Sequence, residues 1–250
     1  MIVRYFFAFL VLLFSCSSLA ATGLDSPPIA VCYSSINVSL STAGDVTLQP
    51  EWLDAGSTDD TGIASLTLNE DYFTCADIGS HTVILTVEDL DGNTAICWST
   101  VNIEDKLSPV LICNASIFVS VGADGTLDLT PSMLDAGSFD NCNVNLSIPP
   151  TTVTCSDVGG NFNLLLTGSD DSGNTNSCFT NVSVEDQMAP TARCKDSVRA
   201  LSKSGRYKPN INHVDDGSFD NCGIALMSVD PPILFCSDLG PNDVTLFVQD

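Results

Sequence analysis

The chain has 250 residues and carries 31 acidic side chains against 8 basic ones, for a formal net charge of −23. A surface this acidic repels nucleic acid and anionic lipid headgroups, which excludes both as partners, and it attracts cations. Because 44% of the residues are hydrophobic, the chain is not a disordered acidic tail and a folded protein is expected.

The first 21 residues have the pattern of a secretory signal peptide. Arg4 supplies a short positive region, residues 6–14 form an apolar stretch of nine, and small residues precede the expected cleavage after position 20 or 21. Nine apolar residues are too few to span a bilayer, which takes about 20. The sequence therefore predicts export without a membrane span. An alternative is a bacterial lipobox at Cys16, although a phenylalanine two residues earlier is bulky for that motif.

The sequence after this leader is a tandem repeat. Cys32, Cys113 and Cys194 lie 81 residues apart, and each follows a proline by four positions. Each repeat continues with an Asp-X-Gly-Ser loop and a Cys-X-Asp-X-Gly segment. The third repeat stops before its final strand, so we expect the natural polypeptide to continue past residue 250. The predicted domains are a signal peptide at 1–21 and repeats at 28–105, 109–186 and 190–250.

Alternation of polar and apolar side chains predicts β-strands throughout the repeats. Val83, Leu85 and Val87 point to one face while the residues between them point to the other, which is a period of two. Turns rich in Gly, Asn, Asp and Pro separate the short segments, and no convincing 3.6-residue period follows the leader. About seven short strands per repeat predict an all-β fold of tandem immunoglobulin-like sandwiches.

The order of the predicted strands in the second repeat indicates which cysteines lie on neighbouring strands. The predicted strands are A (110–113, continuing at 117–121), B (126–134), C (143–148), a fourth strand (151–155), F (161–169) and G (175–185). Strands A and G lie side by side in such a sandwich, which pairs Cys113 with Cys178. A hairpin around the Ile-Pro-Pro turn after strand C pairs Cys142 with Cys155. Equivalent positions in the other repeats predict two more disulfides, Cys32–Cys97 and Cys222–Cys236.

Two cysteines have no partner in this scheme. Thr61 replaces the third cysteine in the first repeat, so Cys75 is expected to be a buried thiol or an intermolecular link. Cys194 would pair with a cysteine beyond residue 250. Export favours disulfides over zinc for this set, because the oxidising compartment stabilises them and no Cys-X-X-Cys pair is present.

The repeat boundaries carry a recognisable pattern. Asp-X-X-X-Pro-X-X-X-Cys opens the repeats at Asp105 and Asp186, and Asp-X-X-Gly-Asn precedes the last strand at Asp89 and Asp170. This pattern resembles the hyalin repeat. The added Asp-Asn-Cys and Cys-Ser-Asp-X-Gly segments are similar to repeats in surface proteins and gliding-motility adhesins of Bacteroidota. The resemblance covers nearly all of residues 28–250 and implies extracellular immunoglobulin-like modules used in adhesion or as stalks, without enzymatic activity.

Acidic residues are expected to converge at one pole of the second repeat. In an immunoglobulin-like topology, the loop after strand B and the turn between F and G share the pole where the preceding repeat enters. Hard oxygen ligands in this number suit Ca²⁺, which would stiffen the joint between repeats. The alternative is that these residues only form turns and keep the surface soluble. The candidate ligands are Glu104, Asp105, Asp135, Asp140, Asp170 and Asp171.

Catalysis has little support in the sequence. The only histidines are His81 and His213, and nothing indicates a Ser-His-Asp arrangement around either. His213 aligns with Trp52 and Met133, which predicts a structural position in the core or at its rim. The carboxylate pairs recur in every repeat as turn residues, which argues against a glycosidase. We therefore predict no catalytic residue and no cofactor besides Ca²⁺.

Aromatic residues offer one further candidate site. Trp98 and Phe179 align on strand G, on the face opposite Cys97 and Cys178. We expect them in the core beneath a second sheet, and the alternative is an exposed platform for carbohydrate.

The predicted function is a non-catalytic extracellular adhesive or structural repeat region. Its expected partners are the neighbouring repeats of the same chain, together with surface glycans or proteins, and repeats that contact mainly their neighbours suit a stalk. The alternatives are a ligand- or carbohydrate-binding ectodomain, or the accessory repeats of a larger secreted enzyme.

Overall fold

The computed structural model describes residues 26–250, so the predicted signal peptide at 1–21 and Cys16 lie outside the described residues. The chain forms two compact units. Unit 1 contains the described residues up to Ser39 together with Asp45–Glu104, and unit 2 contains Leu40–Gly44 and Asp105–Asp250. Unit 2 thus holds both the second and the third predicted repeat.

Unit 1 is a β-sandwich whose strands correspond to the predicted first repeat. The strands β1, β6, β5 and β3 form a four-stranded sheet in that order, and β2 pairs with β4. β1 runs parallel to β6, which is the predicted neighbourhood of strands A and G. The strands are β1 (Ser35–Ser39), β2 (Asp45–Thr47), β3 (Ile63–Leu68), β4 (Tyr72–Thr74), β5 (Gly79–Asp89) and β6 (Thr94–Glu104).

The second repeat has the same architecture within unit 2. β7, β12, β11 and β9 form the four-stranded sheet, β10 pairs with β8, and β7 runs parallel to β12. The elements are β7 (Ser116–Ser120), β8 (Thr126–Asp128), α1 (Pro131–Leu134), β9 (Asn145–Ser147), β10 (Thr152–Thr154), β11 (Asn161–Ser169) and β12 (Thr175–Glu185).

The third repeat forms a reduced version of the same sandwich. Its elements are β13 (Arg206–Tyr207), α2 (Ile211–Val214), β14 (Leu226–Asp230), β15 (Leu234–Phe235) and β16 (Thr245–Gln249). β13 pairs with β15 and β14 with β16. Residues 195–205 form no strand, because the described residues contain no equivalent of β12 to pair with them.

The cores follow the period of two that the sequence shows. Val83, Leu85 and Val87 of β5 are completely buried, whereas Glu88 between two core positions is exposed. In the second repeat, the buried cluster combines both sheets, with Val182 from the large sheet and Val153 from the small one. The prediction of an all-β, immunoglobulin-like fold with disulfides is confirmed.

Strand B is shorter than predicted. The expected strand at 126–134 ends at Asp128, and Pro131–Leu134 form a single helical turn closed by the bond from Asp135 N to Pro131 O, at 3.1 Å. Proline favours the first position of a helix, since it has no N–H to donate and its φ is already helical. A matching turn at Pro50–Trp52 and α2 occur in the other repeats. None of the helices in residues 26–250 is long and apolar enough to cross a membrane.

Two of the predicted disulfides are present, and both lie within a repeat. A third disulfide joins two repeats, which was not predicted. The structure contains Cys32–Cys97 and Cys113–Cys178, as the pairing of strands A and G predicts. The predicted Cys142–Cys155 and Cys222–Cys236 pairs are wrong, since Cys155 is bonded to Cys222.

The physical reason is the turn after strand C. β9 pairs with β11 while β10 pairs with β8, so the chain changes sheets at Pro149-Pro150 instead of forming a hairpin. Two successive prolines offer no N–H to continue a ladder. Cys142 therefore does not lie opposite Cys155 on a neighbouring strand.

Cys75, Cys142 and Cys236 also differ from expectation, whereas Cys194 has no partner within residues 26–250, as expected. Cys75 and Cys142 are each part of a disulfide, so neither is a free thiol. Cys236 is exposed and free, and so is Cys194.

Candidate metal centre

Three aspartates meet at one pole of the second repeat. Asp105 follows β6 directly, Asp140 lies in the loop after α1, and Asp170 begins the turn between β11 and β12. One carboxylate oxygen from each lies within 4.8 Å of the other two. We call these three residues the Asp105 cluster. Its members come from the linker, the loop after strand B and the F–G turn, which are the three segments that the sequence analysis expected to converge.

Asp105 is the most buried member, with 5% of its surface exposed. Its Oδ1 accepts hydrogen bonds from Leu107 N at 3.1 Å and from Asn141 Nδ2 at 3.2 Å. Its Oδ2 is buried and has no hydrogen-bond partner among the described residues. A buried carboxylate oxygen without a partner is costly, because it has lost water and gained nothing in return. The side chain is thus oriented by one oxygen and leaves the other available to a ligand.

Asp170 is held by the turn that it starts. It is 6% exposed, and it accepts bonds from Asn174 N at 2.8 Å and Asn174 Nδ2 at 2.7 Å. The same amide donates to Asp105 O at 3.1 Å, which ties the turn to the linker. Asp140 accepts from Cys142 N at 3.0 Å. Hydrogen bonds from backbone and amide groups therefore preorganise all three carboxylates, whose mutual repulsion favours a bound cation.

A second group with the same composition lies in unit 2, between the second and third repeats. Asp186, Asp220 and Asp250 each place one carboxylate oxygen within 4.8 Å of the other two. We call these residues the Asp186 cluster. Asp186 follows β12, Asp220 lies in the loop after α2, and Asp250 follows β16. They occupy the repeat positions of the Asp105 cluster. The repeat pattern placed Asp186 in the linker that enters the third repeat, but the predicted ligands were given for the second repeat only.

The other predicted ligands of the second repeat serve different purposes. Asp171 is exposed and accepts bonds from Asn143 Nδ2 at 3.2 Å and Asn145 Nδ2 at 2.9 Å. Asp135 Oδ1 accepts the bond from Ser138 N at 2.8 Å, which closes the Asp-X-Gly-Ser turn. Glu104 is the last residue of β6 and is not one of the three clustered residues. The structure thus brings together three of the six predicted ligands.

The Asp-X-Gly-Ser turn has its own electrostatic signature. The hydroxyl and backbone N–H of Ser138 hold the pKa of Asp135 below its usual value of 3.8. In the third repeat, the hydroxyl and backbone N–H of Ser218 lower the pKa of Asp215 in the same way. Both carboxylates are ionised acceptors that fix the turn, since donors to the charged form favour it.

Both histidines occupy structural positions. His81 Nε2 lies 2.6 Å from Asp77 O, and its ring packs 5.1 Å from that of Phe73. His213 Nδ1 lies 2.7 Å from the Tyr207 hydroxyl. Each ring contacts residues of its own repeat. For His213, this is the structural position that its alignment with Trp52 and Met133 predicts.

The aromatic residues of strand G do not lie in a core. Trp98 is 68% exposed and Phe179 is 64% exposed, so the expectation of a second-sheet core position is wrong. Their neighbours Ser99 and Thr180 are buried instead, because the small sheet packs on that face of the large one. The outward face of the large sheet is open around both rings.

No protein-family model matches the chain, and no curated protein is significantly similar to it. Among solved structures, cadherin domains 1–4 of protocadherin gamma B7 are 15% identical, over 90% of this chain and 68% of that one, with a TM-score of 0.30. Immunoglobulin domains 1–5 of Sidekick-1 are 14% identical, over 68% of this chain and 41% of that one, at 0.34. An endo-fucoidan hydrolase of glycoside hydrolase family 107 is 15% identical, over 69% and 30%, at 0.22. The architecture itself, with its sheet order and disulfides, makes the chain an array of immunoglobulin-like β-sandwiches.

Proposed function

We propose that the chain is a non-catalytic, extracellular adhesive or structural repeat region, which acts as a stalk of hyalin-like modules on a cell surface. The Cys155–Cys222 disulfide carries this proposal, because it joins the second repeat to the third covalently. A bond between successive repeats restrains their relative motion, which benefits a spacer or an adhesive rod. Disulfides of this kind persist in oxidising compartments, which supports an extracellular location.

Contacts around this disulfide support the same role. Asn221 Nδ2 donates to Gly122 O at 3.1 Å and to Asp186 Oδ1 at 3.2 Å, so the loop of the third repeat is seated on the second. Gly125 has a φ of 74°, and a Cβ there would lie 2.9 Å from Cys155 Sγ and 3.2 Å from Asn221 O. The close approach of the two repeats therefore requires glycine at this position.

Ca²⁺ at the Asp105 cluster is part of the proposed function. The cluster offers hard oxygen ligands, a buried oxygen without a partner and a fixed geometry, which is the donor set that Ca²⁺ prefers. We expect the melting temperature of the secreted chain to rise when about 1 mM Ca²⁺ is added, since a ligand that binds only the folded state stabilises it. Asp105→Asn should remove most of this shift, and Asp171→Asn, outside the cluster, should retain it. An unchanged melting temperature in the unsubstituted chain would eliminate this site.

Cell-surface shaving tests the proposed location and role. Intact cells that produce the chain are treated with protease and labelled with an antibody against the repeats. We expect surface labelling that disappears after shaving, and thiol trapping should find Cys155 oxidised before lysis. Recovery of the chain in the cell interior, with Cys155 reduced, would refute an extracellular stalk.

Small-angle X-ray scattering tests the restrained joint. The paired change Cys155→Ser with Cys222→Ser should broaden the distance distribution of the secreted chain, because the covalent tie between the repeats is lost. Cys194→Ser is the matched control, since this exposed thiol is in no disulfide. Identical scattering from the paired variant and the control would show that the bond does not restrain the joint.

Carbohydrate binding is a second candidate function, and the exposure of Trp98 is the observation that favours it. Trp98 lies beside Ile84 on the open face of the large sheet of unit 1, in register across β5 and β6. Beyond it on the same face, Asn102 Nδ2 donates to Asn37 Oδ1 at 2.9 Å. Exposed aromatic rings beside amides and hydroxyls suit the apolar and polar surfaces of a sugar.

A glycan array distinguishes this candidate from the stalk. Binding that is lost in Trp98→Ala and kept in Trp52→Ala would support it, because Trp52 is also partly exposed but belongs to the 3₁₀ turn Pro50–Trp52 and not to a strand of the large sheet. An array without any binding would leave the stalk as the function of these repeats.

A further inference from the structure

We propose that unit 2 holds a second Ca²⁺ at the Asp186 cluster, where the ion ties the second repeat to the third beside the Cys155–Cys222 disulfide. This inference rests on the proposed function, and it assigns a second site outside the ligands that the sequence predicts for the second repeat. Three features of the site carry it: the spacing of the oxygens, the pattern of hydrogen bonds at each carboxylate, and the origin of the ligands in two repeats.

The spacing of the oxygens fits one shared ion. Ca²⁺ binds oxygen at about 2.3–2.6 Å, so two ligands on opposite sides of the ion lie at most about 5 Å apart. The three carboxylate oxygens of the Asp186 cluster lie within 4.8 Å of one another. All three are hard oxygen donors, which suit Ca²⁺ rather than a metal that prefers nitrogen or sulfur.

In two of the carboxylates, one oxygen accepts hydrogen bonds and the other has no hydrogen-bond partner among the described residues. We call the second oxygen bare. Asp186 Oδ1 accepts bonds from Met188 N at 3.0 Å and Asn221 Nδ2 at 3.2 Å, whereas its Oδ2 is buried without a partner in the described part of the chain. Asp220 Oδ2 accepts from Cys222 N at 2.9 Å and Gly223 N at 3.1 Å, and its Oδ1 is likewise buried and bare within residues 26–250.

This division is what a cation site needs. The hydrogen-bonded oxygens fix the direction of each carboxylate, and the other oxygen of Asp186 and of Asp220 is a buried atom. Burial of two such oxygens is costly unless a proton or a cation compensates them. The Oδ1 of Asn221 is a third buried oxygen without a partner in the described range, from the residue next to Asp220.

The repeat equivalence supplies an independent check. Asp105 has the same arrangement as Asp186: its Oδ1 accepts from the N–H two residues on and from the asparagine of the Asp-Asn-Cys loop, and its Oδ2 is bare. Asp105 is 95% buried, since 5% of its surface is exposed. Two poles of one chain therefore present the same carboxylate geometry.

The ligands come from both sides of a joint. Asp186 follows the last strand of the second repeat, while Asp220 and Asp250 belong to the third. The loop that carries Asp220 also carries Cys222, whose disulfide with Cys155 reaches the second repeat. An ion at the Asp186 cluster would fix this loop by a second, reversible tie, so the flexibility of the joint would respond to the concentration of Ca²⁺.

The number of bound ions tests the inference. Titration of the secreted chain with Tb³⁺, followed by displacement with Ca²⁺, should give two sites per chain. Asp186→Asn should leave one site, and Asp105→Asn should leave the other. Asp171→Asn, which lies outside both clusters, should keep two. Asp250→Asn, which changes the third ligand, is a second variant for the new site and should also leave one.

The outcomes separate this inference from the proposed function. A single site that is lost in Asp105→Asn and kept in Asp186→Asn and Asp250→Asn would overturn the second site and leave the first intact. No binding to the unsubstituted chain would overturn both calcium sites, while the scattering and shaving experiments would still test the stalk. Peptide mapping of Cys155–Cys222 in Asp186→Asn confirms that the joint has formed, so that loss of the ion is not loss of the fold.

Discussion

Cys155 in the second repeat is bonded to Cys222 in the third, across 67 residues of sequence. Cys155 starts a 3₁₀ turn after β10, and Cys222 ends the Asp-Asn-Cys loop after α2. Cys155 N donates to Gly125 O at 3.1 Å, and Asn221 Nδ2 donates to Gly122 O at 3.1 Å, so both cysteines are anchored to the same loop of the second repeat. The third cysteine of the second repeat and the second cysteine of the third repeat therefore form a connection between repeats, instead of a disulfide within each repeat.

Loss of this bond should destabilise unit 2. Cys222→Ser opens a loop of 67 residues, and the chain-entropy model assigns such a loop about 4 kcal/mol. We expect a fall of this order in the free energy of unfolding of the transition that includes the third repeat, measured by chemical denaturation. Cys194→Ser is the control and should leave the curve unchanged. Equal curves for both variants would contradict a stabilising role.

Thiol labelling should separate two classes of cysteine. Cys194 and Cys236 are exposed and free within residues 26–250, so a maleimide should modify both in a secreted chain that ends at residue 250. Cys75 should stay unmodified until a reductant is added, because it is in a disulfide. Mass spectrometry of the labelled peptides measures this directly. A label on Cys75 under native conditions would contradict the structure.

Gly125 should not tolerate a side chain, for two reasons: backbone strain and a steric clash. Comparison of two alanine variants separates these contributions. Its φ of 74° strains any other residue by about 1 kcal/mol or more, and an added Cβ would meet Cys155 Sγ at 2.9 Å. Gly173 has a φ of 88° but no atom within 4 Å of such a Cβ. We expect Gly125→Ala to destabilise the chain more than Gly173→Ala in thermal denaturation. Equal losses would mean that backbone strain alone matters at Gly125.

Acid should weaken the Asp-X-Gly-Ser turns. The pKa of Asp135 lies below 3.8 in the folded chain because of the Ser138 hydroxyl and N–H, whereas the unfolded chain has the ordinary value. The unfolded state thus binds the proton first, so the contribution of Asp135 is complete above about pH 4 and is lost as the pH falls through the lower folded value. Ser138→Ala should reduce this part of the acid sensitivity, as measured by melting temperature between about pH 5 and pH 2. An identical pH profile for the variant would contradict it.

The sequence predicts which segments form the metal centre, but not which carboxylate of each segment belongs to it. The three segments that were expected to converge do converge, because strand order in an immunoglobulin-like sandwich places their ends at one pole. Which carboxylate in each segment points inward depends on the turn, however. Asp135 closes its own turn with Ser138, and Asp171 faces Asn143 and Asn145, so neither is available at the cluster. Hydrogen bonds within a turn are formed only once the backbone geometry is set.

The exposure of Trp98 and Phe179 is a similar case. Alternation along strand G shows that these residues share a face opposite to Cys97 and Cys178, and that part is visible in the sequence. Which face receives the second sheet is not, because both faces carry apolar residues. Val101 and Val182 are buried, Val182 in one cluster with Val153 of the small sheet, and the aromatic face stays open.

The sequence by itself determined the repeat, its period, the all-β class and the disulfides between strands A and G. These features follow from local alternation and from neighbours that every such sandwich shares. Only the tertiary structure decided that Cys155 bonds to Cys222 and that Asp186 meets Asp220 and Asp250. Those contacts depend on the orientation of one repeat on the next, and no short stretch of sequence specifies that orientation, because it results from packing between loops that are distant in the chain.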